Sequence, residues 1–174
     1  MTRRPIDSRV SPMRTEEDHH DDALRAAFAA WPSGVSVVTA RDDDDRVYGM
    51  TIAAFTPVSV DPPLVLACIH NDAPLASLFE EGVRCAVSIL TEGQKRAATT
   101  FADRFSMPGD LISKDEIPVV NDAAATFLCT TREVHEGGDH RIVLLRVDEA
   151  RTGGSDLRPL VYWSRAYRQL APEP

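Results

Sequence analysis

The side chains of this 174-residue chain with the widest chemical reach are five histidines, three cysteines and a run of four aspartates. An imidazole titrates near neutrality and can hold a metal, move a proton or donate to an anion. His19 and His20 are adjacent, so their side chains point apart, and with no further ligand close by they read as part of a solvated tail rather than a metal site. His70 and His135 have no partner that spacing reveals, whereas His140 closes the turn-forming run Glu136-Gly137-Gly138-Asp139. Cys68, Cys85 and Cys129 each lie inside an apolar run, without C-x-x-C pairing, and read as small core residues. The Asp42–Asp45 run lacks the glycine and distal glutamate of a calcium loop and reads as a charged hairpin tip. No metal site is expected.

Generic catalytic motifs are absent from the chain. Gly137-Gly138 and Gly153-Gly154 lie in turns with no helix opening after them, so a dinucleotide-binding fingerprint is missing. There is no phosphate-loop, zincin or nucleophile-elbow pattern either. A net charge of −8, from 27 acidic and 19 basic side chains, repels a phosphodiester backbone, and no basic stripe offsets it. Nucleic-acid binding is disfavoured. Apolar runs such as Leu64–Ile69 are far too short to span a bilayer, and the N-terminal arginines have no apolar segment behind them. The expectation is a cytoplasmic protein with no membrane association.

Whatever chemistry the chain performs, its elements must position. Residues 1–20 mix Arg3, Arg4, Arg9 and Arg14 with two prolines and show no apolar periodicity, so they are expected to form a flexible arm before a single domain over 21–174. Leu24, Ala27 and Phe28 recur at helical spacing behind Asp21 and Asp22, predicting a helix over 23–30 that packs on the core. Strand texture follows at Gly34–Ala40 and Val47–Ala53, joined as a hairpin through the aspartates. The continuous apolar runs Leu64–Ile69 and Arg84–Leu90 predict strands at the centre of the sheet, covered on both faces, with a helix over Pro74–Glu81 between them. Thr91 and Gln94 have capping-box spacing before a helix over Lys95–Asp103. Strands at Ala125–Val134 and Arg141–Glu149 flank the Glu136–Asp139 turn, and Pro159–Trp163 and Tyr167–Leu170 close the chain. Many strands in hairpin order with few helices predict a mainly β fold, a closed or nearly closed antiparallel barrel.

The ordered set of residues from Phe28 to Leu170 resembles the short-chain flavin reductases. The likeness runs through Pro32-Ser33-Gly34-Val35, Val37-Val38-Thr39, Gly49-Met50-Thr51, Phe55, Val58-Ser59, Asp61-Pro62-Pro63-Leu64-Val65 and Asn71. It continues with Ala86–Leu90, Gln94, Phe101-Ala102, Arg104-Phe105, Gly138-Asp139-His140, Pro159–Tyr162 and Tyr167-Arg168. The resemblance implies a split β-barrel with peripheral helices, a homodimer, and bound FMN or FAD reduced by NADH or NADPH. It also implies a partner flavin-dependent monooxygenase that receives the reduced flavin. A flavin-binding protein without turnover is the alternative of the same fold.

By that resemblance the flavin is held by Ser33, Val35, Gly49, Met50, Thr51, Ile52, Ala53, Ala54, Cys68, His70, Asn71, Leu75, Lys95, Phe101 and Arg104. His140 is the implied catalytic residue, and His140, Tyr167 and Arg168 are the implied contacts of the nicotinamide. Ala53, Ala73 and Leu75 stand where the family commonly has hydroxyls, so fewer side-chain donors are expected around the flavin. Asp61, before two prolines, reads as a turn former.

Overall fold

The computed structural model describes residues 16–103, 109–154 and 156–171. Among the described residues, ten strands form a seven-stranded and a three-stranded antiparallel sheet, with two helices at the periphery. The strands are β1 (Ser33–Gly34), β2 (Ser36–Arg41), β3 (Val47–Ile52), β4 (Phe55–Ser59) and β5 (Leu64–His70). They continue as β6 (Arg84–Ile89), β7 (Ala125–Gly137), β8 (His140–Thr152), β9 (Val161–Trp163) and β10 (Ala166–Arg168). Helix α1 covers Glu16–Ala29 and α2 covers Lys95–Ala102.

The large sheet has the order β3-β2-β6-β7-β8-β5-β4, which places β3 and β4 at opposite edges. Yet only Ala53 and Ala54 separate these two strands in sequence. Two residues span no more than about 7 Å, so the sheet must roll until its edges meet. The result is a barrel left split between β3 and β4, with the kink tied to β5 by the Cys68 N–H donating to the Ala54 carbonyl at 3.0 Å. The nearly closed barrel is therefore correct in shape, and its ladder stays open along the split.

The interior is filled from the strands and from a 3₁₀ turn over Pro74–Leu78 that inserts Leu75 and Ala76, followed by Phe79. These pack with Val38, Ile52, Val65, Ile69, Val87, Val143 and Leu145. A second core lies outside the barrel wall, where α2 turns Ala97, Ala98 and Phe101 onto Val35, Val37, Leu90 and Leu160. Burying one such large side chain contributes about 1.5–3 kcal/mol. The Gln94 side chain reaches back to the Thr91 N–H at 2.9 Å, starting α2 through a short 3₁₀ segment at Glu92–Gln94, as the capping-box spacing requires.

Several expectations are corrected. Helix α1 begins at Glu16, inside the segment read as an arm. Its Leu24 and Phe28 do not pack on the core; both are exposed and belong to neither core cluster. The β5 run is not central and not covered on both faces. It lies next to edge strand β4, and its residues alternate between buried and half-buried. The centre of the sheet is β7, whose long hairpin with β8 is turned by Gly138 at φ +73°. The helix expected over Pro74–Glu81 is the shorter 3₁₀ turn. The first strand is broken at Val35: β1 pairs with β9, while β2 pairs with β3 and β6.

Candidate active site

A cavity of about 600 Å³ opens at the split, within the size range of small-molecule sites. Its long wall is Arg46 and the adjoining β3 residues to Thr51, with Ala73 and the start of the 3₁₀ turn, Pro74 and Leu75, also in the lining. Phe101 and Ala102 at the end of α2 close one side, and His70 and His140 close another. Because β3 is an edge strand, its backbone on the side away from β2 has no ladder partner. An edge of this kind offers alternating N–H and C=O groups to a planar heterocycle.

The wall is shaped by Gly49. A Cβ built there would lie 2.6 Å from Cε1 of Phe101, so the missing side chain is what lets the phenyl ring rest on the strand. Thr51 fixes the same helix from the next outward position, donating its hydroxyl to the Ala98 carbonyl at 2.8 Å. The Thr51 oxygen retains capacity only to accept. Met50 packs against the barrel core while also lining the cavity.

His70 and His140 occupy directly opposed positions on β5 and β8, with ring centroids 5.0 Å apart and planes at 75°. Nδ1 of His140 lies 2.7 Å from Asp139 Oδ1. The hydrogen bond from His140 holds the Asp139 carboxyl below its ordinary value, against the opposing effect of desolvation. Nδ1 of His70 accepts the Asp72 N–H at 3.1 Å. Asn71 ties this turn to the hairpin: its N–H donates to the Asp139 carbonyl at 2.9 Å and its Nδ2 to the Gly138 carbonyl at 3.0 Å.

Of the residues singled out in the sequence, Gly49, Met50, Thr51, His70, Leu75, Phe101 and His140 converge on this cavity. Asn71 stands beside it as a brace. Ala53 and Ala54 form the exposed kink at the end of β3, while Ile52 is buried in the barrel core. Cys68 is half-buried on β5, and its burial raises the thiol above its ordinary value. Val35 is buried in the second core, its backbone bonded to Leu160 and Leu90, and Ser33 is paired with Tyr162. Lys95 is exposed at the start of α2, and Arg104 lies outside the described residues. Tyr167 packs edge-to-face with Tyr162 at 5.4 Å, and burial raises its hydroxyl above the ordinary value. Arg168 lies over the Trp163 ring at 6.0 Å, so neither nicotinamide candidate near the C-terminus lines the cavity.

Sequence reading missed Arg46, Val47, Tyr48, Pro74 and Ala102 as lining residues. The aspartates beside Arg46 masked it as a piece of hairpin tip. That tip is an ordered turn in which Asp42 Oδ1 accepts the N–H groups of Asp44 and Arg46 at 3.0 and 2.8 Å. The available signal was that Tyr48, Met50 and Ile52 alternate along one strand, which brings Arg46 into the same row. Among the described lining residues none is acidic, so the cavity carries one guanidinium and two imidazoles within an otherwise largely apolar wall. Among the described residues no cluster of three or more ligating side chains could hold a metal ion.

The size and donor set fit a flavin: a cavity of small-molecule size, a strand edge without a ladder partner among the described residues, an aromatic wall and basic groups without an opposing carboxylate in the lining. Comparisons with known proteins agree. The chain is 39% identical over 150 residues to the reductase component of 4-hydroxyphenylacetate 3-monooxygenase from Thermus thermophilus, covering 86% of this chain and 96% of that protein. It is 38% identical over 144 residues to a probable flavin reductase of Rhizobium meliloti, covering 80% of this chain but spanning only 46% of that relative. The NADH:FAD oxidoreductase SgcE6 of Streptomyces globisporus C-1027, solved with NAD and FAD fragments, superposes with a TM-score of 0.79 at 32% identity, covering 94% of this chain and 99% of that one. The profile of the flavin reductase like domain matches residues 28–171, and the barrel, its split and the cavity lie within that span; the chain belongs to the flavin reductase like family.

Proposed function

We propose that this chain is an NAD(P)H-dependent flavin reductase that passes reduced FMN or FAD to a partner monooxygenase. The observation that carries the reading is the cavity at the split, bounded by the free edge of β3, the Phe101 wall and the His70–His140 pair. Bound flavin supplies the hydride-accepting chemistry, so the protein needs little acid–base machinery of its own. Its task is placement, holding nicotinamide against the flavin and excluding unproductive arrangements. The β3 edge would hold the ring system through backbone groups, which suits a site where Ala73 and Leu75 supply no hydroxyls. His140, backed by Asp139, would supply positive charge where the reduced cofactor gains negative charge. Relatives support the reductase half of the reading with either flavin, one being an NADH-dependent FAD reductase and another an NADH:riboflavin 5'-phosphate oxidoreductase, and the monooxygenase reductase component supports the partner.

We further propose a homodimer, for which the exposed Phe28, Trp31 and Trp163 are the best-placed apolar surface. Flavin titration tests the site directly. FMN, FAD and riboflavin fluorescence should be quenched by the wild-type protein, and Met50→Trp, which fills the cavity, should abolish quenching while leaving the fold intact by circular dichroism. Equal quenching by both proteins would place the flavin elsewhere.

A further inference from the structure

We propose that His70 and His140 act as a one-proton pair, in which His140 carries the charge and His70 stays neutral as an Nε2–H donor. His70 is then a positioning residue for the proton on His140. The hydrogen bonds of the two rings are opposite in kind. Asp139 can only accept when ionised, so its 2.7 Å contact requires hydrogen on Nδ1 of His140 and leaves Nε2 free to bind or release a proton. The Asp72 backbone N–H can only donate, so its 3.1 Å contact requires a bare Nδ1 on His70 and leaves the hydrogen on Nε2.

Protonating His70 therefore means breaking a backbone hydrogen bond, while protonating His140 leaves the Asp139 bond in place and strengthens it. A second proton is opposed directly. Two imidazolium rings with centroids 5.0 Å apart repel by more than thermal energy even at the dielectric of water.

Asp139 sits on the hairpin turn beside His140, and the Asp72 carboxylate lies 3.9 Å from His70 Nδ1. That carboxylate favours a charged His70 but is highly exposed, so solvent weakens it. Arg46 lines the same cavity but is exposed and ion-paired with the Asp44 carboxylate at 3.4 Å, so it does not distinguish the two rings. Arg141 is directed elsewhere, donating to the Ala76 carbonyl at 3.0 Å. The balance places one proton on the pair and puts it on His140.

The link to turnover rests on the flavin reductase reading, but the protonation pattern does not, so it is tested on the protein without flavin. Ring-nitrogen NMR of uniformly ¹⁵N-labelled protein, assigned with His70→Asn and His140→Gln, reads each tautomer against pH. The expected result is a neutral Nε2–H tautomer for His70 throughout the range in which His140 passes from charged to neutral with hydrogen kept on Nδ1. In His140→Gln, His70 should take up a proton at a pH where it is neutral in the wild type. A His70 that charges before or together with His140, that carries its hydrogen on Nδ1, or that titrates identically in His140→Gln would overturn the proposal. As a functional arm, His70→Phe keeps a ring but loses the donor, and kcat/KM for NADH should fall about 2- to 10-fold. Unchanged kcat/KM would remove His70 from the reaction, whereas absence of flavin reduction by the wild type would indict the broader reading instead.

Discussion

At the scale of single residues, the site depends on one absent side chain and one charged ring. Gly49→Ala forces a methyl to within 2.6 Å of Phe101, so either the ring or β3 must move. We expect a cost of about 1–3 kcal/mol, read as a lower denaturant midpoint, together with weaker flavin binding. Phe101→Leu in the same background should recover part of the stability, which separates a steric clash from a change in the strand itself. His140→Ala removes the charge backed by Asp139 and should lower the hydride-transfer rate about 100-fold without unfolding the protein, as followed by stopped-flow absorbance. Unchanged kinetics with NADH and NADPH would make His140 only a turn-flanking residue. These residues were legible by type and order: Gly49, Thr51, Phe101 and His140 stand in recognisable places. What sequence could not give was the use of each group. Thr51 spends its hydrogen on α2 rather than keeping it for a ligand, because a helix carbonyl 2.8 Å away competes for it.

At the scale of elements, turns decide which side chains meet. Asn71 and Gly138 together couple the end of β5 to the β7–β8 hairpin and thereby set His70 against His140. Gly138→Ala puts a side chain at φ +73° and should cost about 1 kcal/mol, with a larger loss of activity than a mutation of equal cost placed on α1. The Asp42 turn gives a pH effect of definite sign. Its carboxyl is held below its ordinary 3.8, chiefly by the Arg46 backbone N–H, with the Tyr48 hydroxyl also donating. A depressed carboxyl stabilises the fold above its unfolded value, and that contribution is lost as pH falls through the folded one. Protection of the Arg46 amide, its observed exchange relative to the intrinsic rate at each pH, should fall in acid below that ordinary value in the wild type, and Asp42→Ala should show low protection at every pH. The strands themselves were readable from apolar runs. Their neighbours were not, since β5 has the more continuous apolar run yet lies beside an edge, while β7 is central because its long hairpin with β8 pairs along nearly its whole length.

At the scale of the whole molecule, rolling one sheet until its edges meet at a two-residue kink creates the cavity, so fold and site have one cause. This explains why a short stretch around Gly49 identifies both: it contains the edge strand that lines the site and the kink that closes the barrel. The exposed apolar face of α1 was not legible, because helical spacing shows that a face exists without showing what covers it. Among the described residues no helix is long and apolar enough to cross a membrane. The central claim is that this barrel reduces flavin, and nicotinamide oxidation tests it most directly. With purified protein, loss of NADH or NADPH absorbance should depend on added FMN or FAD, saturate with flavin, and drop sharply in His140→Ala. Nicotinamide oxidation no faster than the protein-free rate, with FMN, FAD and riboflavin alike, would contradict it.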